Sequence, residues 1–282
     1  MKTKKFTAFL IAAGVMAACT LTGFTTYSVS MNLFGLQDMV LGVSGNSVGG
    51  NSNNSEDVQL ISVAGVAGSP EFMAQKEWQD FLDNYDRDGR LLAAVGNGPT
   101  GLDKKYDMYL VYTKQMAGKL DEITAKYNLT LHSEMDMFET NADLASKLGG
   151  NLIKGSYKAL GGYIYEDKTF QFDGDAKLAN GKKFSIQFRN EAKGSFSEVA
   201  LNIQDADKYE SWEYKTADGT SVLLVLGPEK GLVLADTEKS FVLINALTGT
   251  GENGAGHPFD GEDFITKADL EAFADGFDFT VL

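Results

Sequence analysis

The sequence predicts an α+β fold, with N-terminal helices, then an antiparallel β-meander of about seven or eight strands, closed by a C-terminal helix. Three observations carry this expectation. Apolar residues recur every three or four positions up to about residue 150, alternate with polar ones from Gly161, and return to helical spacing after Thr266. The connections between alternating segments are short turns, which demand antiparallel neighbours. Unbroken apolar runs near the end of the alternating region match strands covered on both faces.

The first helix is announced by Ser69-Pro70-Glu71, a cap, a proline at the first helical position and an acid in the first turn. It carries Phe72, Trp78, Phe81 and Leu82 toward Tyr85. A second is expected from Asp103 to Tyr127, with Leu102, Tyr106, Tyr109, Leu110, Met116, Leu120, Ile123 and Tyr127 along one buried stripe. A third, Asn141 to Leu148, stops at Gly149-Gly150.

A two-residue turn at Asp167-Lys168 would set Tyr165 opposite Phe170 and Tyr163 opposite Phe172. At the next turn, two residues would turn Phe184 to the polar face. A three-residue loop, Ala179-Asn180-Gly181 with Gly181 left-handed, instead aligns Ala176 with Phe184 and Phe172 with Phe188. The resulting apolar face holds Tyr163, Tyr165, Phe170, Phe172, Phe184, Ile186 and Phe188, against Glu166, Gln171, Asp173, Asp175, Lys177, Lys183, Gln187 and Arg189. Ala217-Asp218-Gly219 pairs Tyr214 with Val222 and Trp212 with Leu224 by the same parity. Val222–Leu226, Leu232–Leu234 and Phe241–Ile244 are the doubly covered strands. Thr266 and Asp269 open the closing helix, which carries Leu270, Phe273 and Ala274.

Residues 1–30 have the features of an export or anchoring segment, a basic start (Lys2, Lys4, Lys5) followed by the apolar stretch Phe6–Val29. Three modes compete. Thr26-Tyr27-Ser28 offers a cleavage site, Met16-Ala17-Ala18-Cys19 resembles a lipoprotein box with Cys19 as the lipidation candidate, and the stretch is long enough for an uncleaved anchor. Residues 31–56, with the Ser/Gly/Asn run 44–55, read as a flexible linker, and 57–282 as a single extracytoplasmic domain that Val58–Ala67 opens. The expected localisation is therefore extracytoplasmic, secreted or held at the cell membrane.

The 282 residues carry a formal charge of −14, a surface that repels phosphate backbones, so nucleic acid is not an expected partner. Cys19 is the only cysteine, which leaves the domain without disulfide or thiol chemistry. With two histidines, His132 and His257, a multi-histidine zinc site within one chain is excluded. His132 reads as a surface or boundary histidine. His257 stands in a Gly-rich loop with Asp260, Glu262 and Asp263, a candidate ligand loop whose plain alternative is a solvated connection.

Asn84, Asp86 and Asp88 sit before Gly89 and Leu91 like the front half of a calcium loop, but Val95 stands where the bidentate Glu belongs. An acidic helix-ending turn explains the same residues, so calcium is the one cofactor candidate. Glu166/Asp167, Asp173/Asp175 and Asp205/Asp207 supply paired carboxylates of the kind a glycosidase uses. No nucleophile elbow, dinucleotide fingerprint or P-loop is present.

From Trp78 onward the chain resembles uncharacterised exported proteins of Gram-positive gut bacteria. The stretches are Glu77–Leu82, Tyr112–Met116 with Lys119–Ile123, Gly161–Asp167, and Asp269–Asp275 with Phe277–Phe279. The leader, ending Thr26-Tyr27-Ser28-Val29-Ser30, and the strand-then-helix ending are similar to outer domains of membrane-bound anti-sigma regulators. Only five residues precede the apolar stretch, so a sigma-binding segment like theirs is not expected. The resemblance carries no catalytic residues. The function expected is a non-enzymatic binding or sensing module tethered to the membrane and facing an extracytoplasmic ligand or protein; the alternatives are a secreted hydrolase using paired carboxylates and a carrier of apolar ligands.

Overall fold

The computed structural model describes residues 26–33, 36–43, 58–62, 68–91, 101–106, 109, 111–132, 134–197, 200–204, 209–227, 230–248 and 265–282; for 26–62, 200–204 and 248 it describes the backbone alone. Helix α1 spans Pro70–Arg87, and Ser69 accepts the Phe72 amide at its start. A 3-10 turn at Lys104–Tyr106 precedes α2, Lys114–Tyr127.

The expected single helix from Asp103 is therefore two pieces. Thr113 has extended backbone (φ −136°) and caps the Met116 amide, so the helix restarts there. Tyr106 and Tyr109 are buried nonetheless, from turns rather than from a helical stripe. Helix α3, Asn141–Leu148, ends on left-handed Gly149 (φ 80°), as its sequence predicts, and Thr140 caps its start by accepting the Asp143 amide.

Eight antiparallel strands form the main sheet. In chain order they are β4 (Met135–Phe138), β5 (Lys158–Tyr165), β6 (Phe170–Lys177), β7 (Lys183–Ala192), β9 (Glu210–Lys215), β10 (Ser221–Leu226), β11 (Lys230–Asp236) and β12 (Ser240–Thr248). The spatial order is β4-β5-β6-β7-β12-β11-β10-β9. The sheet is thus two four-stranded meanders joined at β7–β12 rather than one continuous meander. After β7 the chain contributes β8 (Ala200–Gln204) to a second sheet, restarts at the far edge and steps back inward.

The register of β6–β7 agrees with the apolar pattern. Phe172 pairs with Phe188 and Ala176 with Phe184, across a loop in which Gly181 has φ 90°. Tyr214 pairs with Val222 and Trp212 with Leu224.

The β5–β6 hairpin differs from expectation. Its loop holds three residues, Glu166-Asp167-Lys168, with Lys168 left-handed (φ 73°), so Ile164 rather than Tyr165 faces Phe170 and Gly162 faces Phe172. The Tyr165 amide donates to the Thr169 carbonyl (2.7 Å) and Asp167 Oδ1 accepts the Thr169 amide (2.8 Å) to hold that loop. One residue of slip moves every side chain to the other face, so Tyr163 and Tyr165 join Gln171 and Arg189 instead of the phenylalanines.

Those phenylalanines make the main core. The rings of Phe172 and Phe188 stack at 4.9 Å, and Phe184 and Phe188 meet Phe273 and Phe277 at 5.4 and 5.5 Å. Phe273 belongs to the closing helix α4 (Lys267–Ala274), opened by a reciprocal Thr266–Asp269 capping box. Leu270 of α4 rests where a side chain at Gly231 would otherwise stand, so the glycine lets the helix settle on β11. Residues 222–225, 231–235 and 241–246 are buried on both faces.

A second hydrophobic cluster joins α1 and α2 through Trp78, Leu82, Met116, Leu120 and Ile123, and takes in Phe196 from beyond β7. The smaller sheet is ordered β1-β2-β3-β8, with β1 at Thr26–Leu33, β2 at Leu36–Val43 and β3 at Val58–Ser62. Val58 thus opens a strand as expected, paired with β8. The segment assigned as linker from residue 31 holds most of a hairpin, whose partner pairing runs Leu41 to Ile61. Tyr27, Val29, Met31 and Leu33 alternate with polar residues at the strand period, a signal masked by the bulk apolarity of the leader. The Ser/Gly/Asn run 44–55 lies outside the described residues.

Candidate functional site

The helical layer and the main sheet meet at a partly buried polar joint. Three short segments build it: Thr130–His132 after α2, the β5–β6 loop, and Glu191–Ser197 at the end of β7. Thr130 and Ser195 form a parallel bridge, with the Thr130 amide donating to Gly194 and the Phe196 amide donating to Thr130, both at 2.9 Å. The Gly194 amide donates to Glu71 Oε1 of α1 at 2.7 Å.

Asp167 is the centre. Its Oδ2 is 2.8 Å from His132 Nδ1 and accepts the Ser195 hydroxyl at 2.5 Å. Burial would push the Asp167 carboxyl up, but the bond and charge of His132, the Ser195 hydroxyl and the Thr169 amide outweigh it and hold it down at about 2. An ionised carboxylate only accepts, so Nδ1 of His132 carries a proton. The imidazole is 7% exposed and lies parallel to Tyr165 at 4.3 Å (9° between planes), with Tyr109 at 5.9 Å. The Tyr109 hydroxyl accepts the His132 amide at 2.8 Å.

Beside this pair sits Glu191, 6% exposed. Burial pushes its carboxyl up, while Arg189, His132 and the Ser197 hydroxyl draw it partly back. Burial also raises Tyr165 strongly, and Tyr163 to about 12.

Ser, His and Asp are all present, but their order is not that of a hydrolase relay. There the imidazole stands between hydroxyl and carboxylate, so that it can take the hydroxyl proton. Here the carboxylate stands between, and Ser195 spends its proton on Asp167. The arrangement can hold two segments together and can store or release a proton; it cannot make Ser195 a nucleophile through His132.

Asn84 and Asp86 lie in the last turns of α1 and Asp88 at its C-cap. On a helix, residues 84 and 86 point about 200° apart. Asn84 donates to the Asp80 carbonyl and Asp88 pairs with Arg90 at 3.3 Å, so the structure does not gather the calcium candidates into a loop. Among the described residues no three His, Cys, Asp or Glu side chains converge as metal ligands. Asp173 and Asp175 share a face of β6, opposite Gln187 and Ser185. His257, Asp260, Glu262, Asp263, Asp205 and Asp207 fall outside the described residues, as do Cys19 and the rest of residues 1–25. No described helix is long and apolar enough to cross a membrane.

Sequence reasoning placed His132 at a boundary and Asp167 in a turn, and passed over Ser195 and Glu191. Continuing the β7 alternation two residues past Arg189 would have put Glu191 on the same face. No spacing signal links His132, Asp167 and Ser195, which meet across 28 and 35 residues. No family model, no curated protein and no solved structure matches this chain.

Proposed function

We propose that the protein is a non-enzymatic binding or sensing module, held at the membrane or released outside it by its N-terminal segment. The observation that carries the reading is the wiring of the joint: the ionisable constellation between the helices and the main sheet has an order that suits a conformational joint rather than a nucleophile. A thermal-shift survey of small polar and apolar ligands on the full-length protein tests this. A ligand at about 100 times its Kd stabilises the folded state by about 2.7 kcal/mol, a readable rise in midpoint.

A hydrolase using paired carboxylates is the second reading. One observation favours it: Asp167 and Glu191 titrate in opposite directions, the pattern of an acid and its ionised partner. Turnover of a panel of aryl glycosides and esters, lost in Glu191→Gln, would replace the binding reading with this one. The export half stands separately. Residues 1–60 fused to a reporter active only outside the cytoplasm should yield signal, and loss of membrane association in Cys19→Ala would identify lipidation as the mode.

A further inference from the structure

We propose that the joint around Asp167 is a proton-operated latch, holding the helical layer on the sheet when protons are abundant and loosening as they leave. The geometry sets up such a device. The two hydrophobic clusters share no members, so what fastens α1 and α2 to the sheet among the described residues is concentrated at this joint. It consists of the Thr130–Ser195 bridge, the Glu71–Gly194 bond, the His132–Asp167–Ser195 contacts, and Phe196 seated between Trp78 and Tyr109 at 6.4 and 5.7 Å. Every polar bond there depends on segments that carry, or adjoin, an ionisable side chain.

The charges facing the joint come from each element around it. Glu71 approaches from α1, Tyr109 and His132 from either side of α2, Tyr163 and Tyr165 from β5, and Asp167 from the hairpin. Asp173 of β6 and Arg189 and Glu191 of β7 complete the set. While Glu191 is neutral, Asp167 is the one ionised carboxylate of the two, held by His132 Nδ1 and the Ser195 hydroxyl, and the imidazole lies flat against the ring of Tyr165. As protons leave, Glu191, itself buried, acquires a charge beside Asp167, and two carboxylates repel each other with little water to screen them.

The sign follows for each acid. Glu191 is raised in the fold, so its contribution is fully present below 4.5 and is lost as pH rises through its folded value. Asp167 is lowered, so its contribution is present above its ordinary range and is lost only as pH falls toward 2. The latch therefore closes in mild acid and opens toward the alkaline side.

The latch deepens the sensing reading and rests on it for purpose. Its test uses no ligand or substrate, so a flat profile removes the latch alone, whereas turnover removes the reading. The full-length protein carrying Trp212→Phe keeps Trp78 as its single tryptophan, packed edge-on to Phe196. Between pH 5 and 8 its emission should shift reversibly to the red. Hydrogen exchange, corrected for intrinsic rates, should show the Thr130 and Phe196 amides losing protection by about tenfold or more, as one linked proton over a pH unit implies. Amides of β10–β12 should hold theirs. Glu191→Gln should flatten both profiles in the protected state, and Glu238→Gln, an exposed acid outside the joint, should leave them as in the parent. A flat parent profile, a profile that survives Glu191→Gln, equal loss in β10–β12, or flattening by Glu238→Gln would overturn the latch.

Discussion

Asp167 illustrates how a single carboxylate can serve as fastener without chemistry. It satisfies the Thr169 amide within its own loop and His132 and Ser195 across the joint. Asp167→Asn keeps an acceptor for Thr169 but removes the charge, and should lower stability at pH 7 by about 2–3 kcal/mol in urea unfolding. The deficit should shrink below pH 4, because a lowered carboxyl contributes above its ordinary range and loses that contribution as pH falls through about 2. Ser195→Ala removes one donor and should cost about 1 kcal/mol at the same pH. A deficit for Asp167→Asn that is constant from pH 7 to pH 2.5 would mean the carboxylate is not held ionised by the joint.

At the scale of elements, two hairpin loops of equal length were read differently, and their chemistry explains why. Ala179-Asn180-Gly181 advertises its left-handed position with glycine, whereas Glu166-Asp167-Lys168 puts lysine there. Lysine at positive φ is strained, so Lys168→Gly should raise stability by about 0.5–1 kcal/mol. Gly181→Val does the reverse, forcing a β-branched residue to φ 90°, and should cost about 1–3 kcal/mol. Phe184, fully buried, should cost about 3–5 kcal/mol as alanine. Exposed Lys183 should cost less than about 0.5 kcal/mol. Equal losses at Phe184 and Lys183 in chemical denaturation would contradict the β6–β7 register. The 3-10 break before α2 has a similar origin: Thr113 offers a cap inside an otherwise continuous stripe.

For the whole molecule, the division of the core into two clusters is the governing fact. Phe196 follows β7 in the chain but packs with α1 and α2, so it pins the helices to the sheet. Phe196→Ala should cost about 3–5 kcal/mol locally. Hydrogen exchange should then show lost protection in α1 and α2 while β10–β12 keep theirs. Uniform loss across both regions would mean that the clusters unfold as one unit.

The sequence by itself determined the helix caps at Ser69, Gly149 and Thr266, the apolar face of β6 and β7, and the turns at Gly181 and Gly219. These depend on residues a few positions apart, where period and φ preference act directly. Only the tertiary structure decided that β12 lies beside β7, since both meanders satisfy the same alternation whichever strands adjoin. It also decided the β5 register, where Lys168 occupies a glycine-like position, and the hairpin that begins at the end of the apolar leader and runs into the segment read as linker. The joint belongs to the same class. His132, Asp167, Glu191 and Ser195 look like loop and surface residues in the chain, and become a cluster of three buried side chains around the half-buried Asp167 only when the hairpin and the end of β7 fold against the helices and strip away most of the water that would have screened them.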